Sequence, residues 1–466
     1  MGTLASAASP SSARLLRVAL DCRLAPTRVL DALSSEPLPF ALVGSWAGGG
    51  AIVGSDPVRV AGDADDPFAL LDEVPAVPAD GAPAGAVGGG WFGWLGYRLA
   101  ARVERIPLAA YRPVPLPDFH LAYYDNVLRC DGDGRWWFEA LVTGPRQAVL
   151  AERLARVRAA LDRRPAAPAG PARTPSPLRL SAADARHHVD AVAQCCRRIA
   201  AGEIFQANIC LRLDGRFDGS PAALLSAALK RVAPPYAAAF TTPRGGIASL
   251  SPELFLRRRG RELVTAPIKG TIARTADPAA AARALEQLRG SAKDAAEHVM
   301  IVDLMRNDIG RVCAYGTVQA PRHPTAEAHP GLWHLVSHVE GRLRPGVGDG
   351  DLLRATFPPG SVTGAPKVQS LRVIAELERA GREVYTGAIG FTSPVAGLEL
   401  NVAIRTLECS GGRLWMGAGG GIVADSDPRR ELEEALAKAR PIAAAVGTTV
   451  EVQSGEPRPR SVGAVA

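Results

Sequence analysis

The chain has 466 residues, of which 47% are hydrophobic, so a large buried core can form and two or three domains are expected. Basic residues outnumber acidic ones by 54 to 47, and the net charge of +7 suits an anionic ligand. No basic run is interleaved with aromatic residues and no apolar run approaches the roughly 18 residues that span a bilayer, so neither nucleic-acid binding nor a membrane segment is expected.

The N-terminal third is predicted to be rich in β-strands. Residues 1–13 are small, lack acidic side chains and are expected to be disordered. From residue 14 to 162, short apolar runs such as PFALVGSW and RWWFEALV alternate with Gly/Pro turns, which is typical of an antiparallel sheet. The segment AVLAERLARVRAALDRR has helical spacing, and residues 163–180 form a Pro/Ala-rich linker without periodicity.

Residues 181–447 are predicted to mix helices with strands, ahead of a tail at 448–466. Helical spacing covers ADARHHVDAVAQCCRRIAAGE, a long stretch broken near Gly290, VQSLRVIAELERA and ELEEALAKARPIAAAV. Strand-like runs are IFQANICLRLDGRF, IASLSPELFLRRR, GAIGFTSP, GLELNVAIRTLEC and RLWMGAGGGIV. Because no βαβ rhythm and no internal repeat occur, the predicted class is a mixed, largely antiparallel α+β fold.

Cysteine usage bears on the cellular compartment. Seven cysteines are dispersed without a CxxC pair. This pattern favours reduced thiols in a cytoplasmic protein over a disulfide framework or a zinc site.

Lysine is scarce, with five residues against 49 arginines. A lysine can lose its proton and attack a carbon atom, whereas an arginine effectively cannot. Lys269 lies in APIKGT, between an apolar run and a helical stretch, and is therefore a candidate nucleophile. The residue types alone also allow an ordinary surface lysine near a turn.

Two predicted helices each carry carboxylates spaced i, i+3. One has Asp294 and Glu297, and the other has Glu431 and Glu434. Residues at this spacing share one helix face, and two such faces meeting would offer oxygen ligands to Mg²⁺. The spacing alone leaves open that both faces are simply solvated.

Three further features allow a binding role or a structural one. The run Gly419–Gly421 follows a strand, and its amides could approach an anion or form a flexible turn. Arg405 lies in an apolar run predicted as a strand and needs an anion, either a ligand or an internal partner. His334 has apolar neighbours, as a core histidine would, and residues Thr356–Lys367 could line a pocket or connect two elements.

Several short motifs occur in the order typical of one enzyme family. They include GEIFQANICLRL, SPELF, PIKGT, KDAAEHVMIVDLMRNDIGRV, HLVS, FPPGSVTGAPK, YTGAIGF, IRTL and GGGIVADSD, with weaker N-terminal matches in GWLGYRLA and YYDN. Together they resemble the chorismate-utilising enzymes over roughly residues 185–445, and among these the aminodeoxychorismate synthases. The resemblance implies two large, mostly antiparallel sheets packed as a sandwich and flanked by helices, with the active site in a deep cleft.

The resemblance also implies roles for individual residues. Glu297 and Glu434 match the family's Mg²⁺ ligands, with Asp294 and Glu431 beside them. The family's residues that bind the substrate's carboxylates and ring match ten positions here: Asn208, Gly270, Thr271, Ser361, Tyr385, Arg405, Gly419, Gly420, Gly421 and Lys438. His334 matches the residue near the C4 hydroxyl. Glu253 matches the acid/base, although it could also be a structural acid paired with arginine.

Members of this family differ in the nucleophile that they add to chorismate. The resemblance implies that this protein adds ammonia. Enzymes that add water carry a general-base lysine where this chain has Gln206, and an amide cannot take a proton. Anthranilate synthases typically have an alanine where this chain has Lys269, and a small residue where it has Asn208. The implied product is 4-amino-4-deoxychorismate, for p-aminobenzoate and folate synthesis, formed through a covalent bond between Lys269 and C2. Anthranilate synthase component I is the alternative, and a non-catalytic chorismate-binding subunit is a third reading.

The ammonia source is expected in another protein. The chain has no stretch resembling a glutamine amidotransferase, with a nucleophilic cysteine in a tight Gly-flanked turn. A separate amidotransferase subunit is therefore the expected partner. Phe391 departs from the family pattern, in which tyrosine is common at that position.

Overall fold

The computed structural model describes residues 12–78, 82–107, 116–163, 174–273, 277–290, 292–321, 323–329 and 332–453. The predicted α+β class with two large, mostly antiparallel sheets is confirmed. The strands are β1 (Arg14–Leu20), β2 (Phe40–Gly44), β3 (Gly50–Gly54), β4 (Arg59–Val60), β5 (Gly90–Leu95), β6 (Phe119–Tyr124), β7 (Asn126–Cys130), β8 (Trp136–Val142), β9 (Leu178–Leu180), β10 (Gln206–Arg216), β11 (Tyr236–Thr242), β12 (Gly245–Ser251), β13 (Leu254–Arg259), β14 (Glu262–Ala266), β15 (Ile268–Ala273), β16 (Thr325–His329), β17 (Leu332–Val336), β18 (Val339–Arg342), β19 (Gly364–Ala365), β20 (Ala388–Ser393), β21 (Gly397–Val402), β22 (Thr406–Ser410), β23 (Arg413–Ile422) and β24 (Val450–Val452).

The helices lie mainly outside the sheets. They are α1 (Pro26–Ala32), α2 (Pro67–Leu70), α3 (Ala100–Val103), α4 (Gln147–Asp162), α5 (Ala182–Ala200), α6 (Pro221–Leu229), α7 (Pro278–Arg289), α8 (Ala292–Gly310), α9 (Asp349–Thr356), α10 (Lys367–Leu377) and α11 (Pro428–Ala445). Side-chain oxygens of Ser181, Asp277 and Asp427 accept amide N–H groups at the starts of α5, α7 and α11, as N-caps do. None of the helices in the described part of the chain has both the length and the apolar character that crossing a membrane requires.

Both halves of the chain contribute a block of neighbouring strands to each large sheet. Within the described residues, a 13-stranded sheet has the order β1-β8-β7-β3-β2-β11-β12-β22-β23-β10-β9-β24, with β19 on β10. An 8-stranded sheet has the order β18-β14-β13-β21-β20-β5-β6-β4, and β15-β17-β16 form a third sheet. The segments 14–162 and 181–447 therefore share both large sheets, because β2 pairs with β11 and β5 with β20.

An aromatic core joins the two large sheets, which confirms the sandwich. Phe40 and Phe240 of the 13-stranded sheet stack at 5.3 Å, and Phe40 stacks on Phe92 of the 8-stranded sheet at 4.6 Å. Phe391 stacks on Phe92 at 5.4 Å, so it fills core volume. Burying each of these rings contributes on the order of 2–3 kcal/mol. Helices cover the outer faces, with α4, α6 and α11 on the larger sheet and α8 and α9 on the smaller one.

The chain passes between the two large sheets at two neighbouring points. Residues 252–253 connect β12 to β13, and residues 403–405 connect β21 to β22. The sequence predicted continuous strands at both places, which is wrong. Pro252 has no N–H for a strand ladder, and Arg405 has a φ of 51°, which is left-handed. Backbone hydrogen bonds of 3.0 Å tie the two crossovers together, from Leu250 N to Arg405 O and from Val402 N to Glu253 O.

The predicted ends and linker need correction where the structure describes them. Ala13, placed in the disordered segment 1–13, is 3% exposed and its amide bonds the carbonyl of Ala76, while residues 1–11 lie outside the described residues. Within the predicted linker 163–180, β9 pairs with β10 and β24, and residues 164–173 are not described. The predicted tail 448–466 begins with β24, and residues 454–466 are likewise outside the description.

Candidate active site

Lys269 lies where the two crossovers meet β15. It is the second residue of β15, and its Nζ donates a 3.3 Å hydrogen bond to the carbonyl of Ser361. Burial lowers its pKa, the carboxylates of Glu297 and Glu253 act in the opposite direction, and the cation of Lys438 reinforces the lowering. The structure thus surrounds the predicted nucleophile with the predicted acid and metal-binding residues.

Glu253 lies on the first crossover and is only 4% exposed. Burial raises the pKa of its carboxyl to about 7. The Ser361 hydroxyl, the Ile268 amide and the cations of Lys269 and Arg405 partly oppose that rise. A carboxyl with a pKa near neutrality can both give and take a proton, as a general acid/base must.

Arg405 lies on the second crossover and not inside a strand. Burial lowers the pKa of its guanidinium, and the nearby Glu253 carboxylate acts in the opposite direction. The group stays charged at neutral pH in any case. Its left-handed backbone is fixed by the bond between its carbonyl and the amide of Leu250. The cation of Arg405 and the candidate acid/base carboxyl of Glu253 are therefore held on two hydrogen-bonded segments.

The three consecutive glycines belong to β23, so the alternative of a flexible turn is wrong. Gly419 pairs with Cys210, Gly420 with Ile209 and Gly421 with Asn208. Within the described residues β22 pairs with β23 only as far as Met416, so alternate amides of the glycine run face away from β10 without a strand beside them.

Glycine is required in this run because side chains already fill the space beside it. A Cβ on Gly421 would overlap the Nε2 of Gln206 and stand 3.6 Å from Lys269 Nζ. Gln206 is 1% exposed, and its Oε1 has no hydrogen-bond partner among the described residues. Gln206 is therefore a neighbour of the candidate nucleophile Lys269.

The carboxylates of α11 lie on the other side of the glycine run. A Cβ on Gly420 would stand 3.3 Å from Glu431 Oε2 and 3.4 Å from Lys438 Nζ. Glu431 is 5% exposed and accepts a 2.7 Å bond from Ser426 Oγ. Lys438 Nζ pairs with Glu434 Oε1 at 2.9 Å and donates to the Gly419 carbonyl at 3.0 Å.

The predicted metal ligands fit Mg²⁺ by chemistry. Glu297 on α8 and Glu434 on α11 both act on the charge of Lys269, so two helices direct carboxylate charge at one place. Carboxylate oxygens are ligands that Mg²⁺ prefers. The side chain of Asp294 lies outside the described residues, and no group of three His, Cys, Asp or Glu residues within the description is arranged to hold a metal ion.

Tyr385 and Asn208 are linked through the thiol of Cys210. Asn208 Nδ2 approaches Cys210 Sγ at 3.1 Å, and that thiol donates to the hydroxyl of Tyr385 at 3.7 Å. The Tyr385 amide donates a 3.0 Å bond to Glu408 Oε1. Sequence reasoning missed Glu408, which is fully buried and whose pKa burial raises to about 7. Its only signal was an acid between two apolar residues, which is also typical of a surface strand.

His334, Gly270 and Thr271 belong to the three-stranded sheet. Thr271 pairs with His334, and the register shifts between Lys269 and Thr271, where Gly270 has a φ of 74°. Such a bulge re-aims neighbouring side chains, and glycine adopts the positive φ without strain. His334 is 1% exposed, while the side chain of Thr271 lies outside the described residues. The roles assigned to these three residues stay predictions.

The comparison with protein families identifies the class of protein. A family model described as chorismate binding enzyme matches residues 53–444, which is most of the chain. The chain therefore belongs to the chorismate binding enzymes, and it is a chorismate-utilising enzyme.

Relatives within the family carry names for two different reactions. Aminodeoxychorismate synthase component 1 of Salmonella typhimurium is 35% identical over 387 residues, which cover 80% of this chain and 81% of that protein. The anthranilate synthase component I-like protein of Synechocystis sp. is 35% identical over 365 residues, covering 77% and 73%. The crystal structure of anthranilate synthase component I from Streptococcus pneumoniae superposes with a TM-score of 0.70 at 26% identity, over 95% of this chain and 94% of that one.

Proposed function

We propose that the protein adds ammonia to C4 of chorismate, forming 4-amino-4-deoxychorismate. The observation that carries the proposal is the pairing of a buried lysine of lowered pKa, Lys269, with Gln206 beside it and the carboxyl of Glu253 nearby. A neutral amine can attack carbon, whereas the amide of Gln206 cannot activate water. The name of the Salmonella relative supports the same reaction.

The first step forms a bond between Lys269 Nζ and C2 of chorismate. Electrons move through the conjugated ring, and the bond from C4 to its hydroxyl breaks. Glu253, half protonated near pH 7, gives its proton to that hydroxyl, which leaves as water. Attack requires the neutral amine, which burial of Lys269 favours.

The second step reverses the first, with nitrogen as the new substituent. Ammonia attacks C4, electrons return through the ring, and the bond between C2 and Lys269 breaks. Glu253, now a carboxylate, takes the proton that the new ammonium group loses. Two successive displacements leave the configuration at C4 unchanged.

The substrate's two carboxylates would be bound by cations and donors around Lys269. Arg405, Lys438 and the hydroxyl of Tyr385 are candidates, together with outward amides of the glycine run. Charge-assisted hydrogen bonds to carboxylates are among the stronger polar contacts in proteins. The reaction itself needs only the amine of Lys269, so binding of the substrate's two carboxylates gives Arg405 and Lys438 a role.

A magnesium ion fits the same region. Glu297 and Glu434 would hold it, with Glu431 and Asp294 in support, and the ion would offset the charge of one substrate carboxylate. Glu434 is paired with Lys438 in this structure, so metal binding would change the partner of that lysine.

Ammonia would come from a second protein, which we propose to be a glutamine amidotransferase subunit. The word "component" in the name of the Salmonella relative indicates an assembly of more than one chain. We therefore expect an ammonium salt to support turnover by the purified protein and glutamine alone to give none.

Anthranilate formation, with loss of pyruvate, is the alternative reaction. The names of the Synechocystis and Streptococcus relatives favour it. Incubation with chorismate, Mg²⁺ and ammonium chloride, followed by mass spectrometry, separates the two. Aminodeoxychorismate without pyruvate is the expected result, and anthranilate with pyruvate would overturn the proposal. No turnover of any kind would favour a non-catalytic chorismate-binding subunit.

A further inference from the structure

Glu408 is an acid on the inner face of the 13-stranded sheet. It lies on β22, opposite Ile247 of β12 and Trp415 of β23. Residues directly opposite each other in antiparallel strands point to the same face, and both neighbours belong to the aromatic core between the large sheets. Glu408 itself is 0% exposed. A buried carboxyl costs stability unless hydrogen bonds compensate for it, so its contacts indicate what the acid does there.

The carboxyl of Glu408 accepts two backbone amides of the turn between α10 and β20. Its Oε1 lies 3.0 Å from the amide nitrogen of Tyr385, and its Oε2 lies 3.4 Å from that of Val384. Neither amide belongs to a helix or a strand, and both residues are buried. Because a buried amide without an acceptor is costly, the two bonds fix the backbone at Tyr385.

The turn needs this support because its backbone is strained. Glu383 has a φ of 52° and Thr386 has a φ of 65°, in the left-handed region that non-glycine residues rarely adopt. Such conformations persist only where the surrounding structure holds them. The Glu383 carbonyl accepts the amide of Tyr97 at 2.8 Å, and the Thr386 amide donates to the carbonyl of Ala403 at 2.8 Å. Glu408 supplies the bonds for the two residues between them.

Two charged groups act on the carboxyl from different elements. The Arg212 cation on β10 favours the ionised form of Glu408, and the Glu383 carboxylate on the turn opposes it. Arg212 also donates a 2.8 Å bond to the carbonyl of Gly381, just ahead of the turn. Burial is the larger effect and raises the pKa of Glu408 to about 7. The carboxylate, whose two oxygens can both accept an amide, therefore predominates above neutral pH.

The side chain of Tyr385 is held on two further sides. A Cβ on Gly417 of β23 would stand 2.2 Å from the Cδ1 of the Tyr385 ring, so the ring lies directly against that glycine. The Cys210 thiol donates to the Tyr385 hydroxyl at 3.7 Å, which leaves the O–H proton for a carboxylate. Burial raises the pKa of this hydroxyl, so it keeps its proton at neutral pH. The ring and the oxygen are thus fixed by contacts, and Glu408 fixes the backbone from which they extend.

We propose that Glu408 is a positioning residue, which holds the turn so that the Tyr385 hydroxyl points at a carboxylate of chorismate. The inference rests on the proposed function in one respect, that Tyr385 contacts this carboxylate. Glu408 acts through Tyr385, because its own two oxygens face the backbone of the turn. Loss of its carboxylate should therefore weaken substrate binding only while the tyrosine hydroxyl is present.

Steady-state kinetics of Glu408→Gln at pH 8, above the pKa of about 7, test the proposal. Glutamine has the same shape, but its NH₂ group cannot accept an amide, so one of the two bonds is lost. Chorismate consumption is measured with Mg²⁺ and an ammonium salt, and the comparison holds whichever product forms. KM for chorismate should rise about tenfold. The change in kcat should be less than about threefold, because substrate and transition state share the contact. Unchanged KM in folded Glu408→Gln overturns the proposal.

The Tyr385→Phe background separates positioning from a general structural role. This substitution removes the hydroxyl and should by itself raise KM about tenfold. Adding Glu408→Gln to it should then raise KM by less than about twofold. A second, additive tenfold rise would show that Glu408 does not act through Tyr385. An unchanged KM in Tyr385→Phe alone would remove the substrate contact that the proposed function gives this tyrosine, and the inference with it.

Glu139 on β8 provides the matched control. Its carboxyl is also 0% exposed and accepts two backbone amides, those of Val87 and Gly88, at 2.7 and 3.1 Å. Glu139 has no proposed role in the active site. Glu139→Gln should destabilise the fold as well, but KM should stay within about twofold of the wild-type value. An equal rise of KM in both variants would show that loss of stability is the cause, against the proposal.

Glu408→Asp decides if Glu408→Gln does not fold. It keeps the charge beside Arg212 but is one methylene shorter, so its carboxylate does not reach both amides. KM should again rise about tenfold, and a wild-type KM would contradict the positioning role. Hydrogen exchange reads the contacts directly. The amides of Val384 and Tyr385 should exchange about tenfold faster in either Glu408 variant than in wild type or Glu139→Gln, and equal exchange would refute the role of the carboxyl.

Discussion

Replacing Glu253 by glutamine should stabilise the fold at alkaline pH while removing activity. Burial raises the pKa of this carboxyl from 4.5 to about 7, so ionising it costs more in the folded protein than in the unfolded chain. For an acid with a raised pKa, stability is lost as pH rises from the unfolded value through the folded one. The loss begins near pH 4.5 and is complete above pH 7.

The size of the effect follows from the same pKa values. One pKa unit corresponds to about 1.4 kcal/mol, so the full loss is on the order of 3 kcal/mol. Part of it is already present at pH 5, because the unfolded carboxyl is mostly ionised there. Between pH 5 and pH 8.5 we therefore expect the free energy of unfolding of Glu253→Gln to rise relative to wild type by about 2 to 3 kcal/mol.

Urea denaturation at the two pH values measures this difference. Glu286→Gln on the exposed side of α7 is the matched control, and its difference from wild type should be the same at both pH values. A stability difference for Glu253→Gln that does not change with pH would refute the assignment of a raised pKa. Activity gives the second readout, because losing a general acid should slow turnover by about 10²- to 10⁴-fold.

Three further perturbations test the site and its support. Lys269→Ala and Lys269→Arg should both abolish aminodeoxychorismate formation from ammonia and the protein–substrate adduct in intact-protein mass spectra, and full activity of either would remove the lysine from the mechanism. Chelation with EDTA should stop turnover and Mg²⁺ should restore it, with Glu434→Gln needing at least tenfold more metal; activity unaffected by EDTA would contradict a metal role. Lys367→Met leaves the carboxylate of Asp308 buried without its cation and should lower the free energy of unfolding in urea by about 3–5 kcal/mol. A decrease below about 1 kcal/mol would show that this ion pair does not stabilise the fold.

The sequence predicted the helices well because their signals are local. The 3.6-residue spacing of α5 and α11 and the break at Gly290 between α7 and α8 depend on neighbouring residues only. Lys269 was found through the scarcity of lysine, which is also a property of the sequence alone.

The two crossovers and the buried acid at Glu408 could not be predicted in this way. An apolar run looks the same whether it stays in one sheet or passes to the other, because both sheets bury their inner faces. The sheet partners that distinguish β12 from β13 lie far away in sequence. Glu408 resembles a surface acid until packing on both faces of β22 is known.

Each large sheet joins a block of strands from the N-terminal half to a block from the C-terminal half, and this has a consequence for how the enzyme can be divided. A piece beginning at β9 would expose the open edges of β11 and β20, since β2 and β5 supply their partners. Unpaired strand edges of this kind associate readily with other strands. Two pieces produced together should therefore reassemble through these same edges, whereas either piece alone should aggregate. We therefore expect a break between α4 and β9 to leave the site intact only while both halves are present.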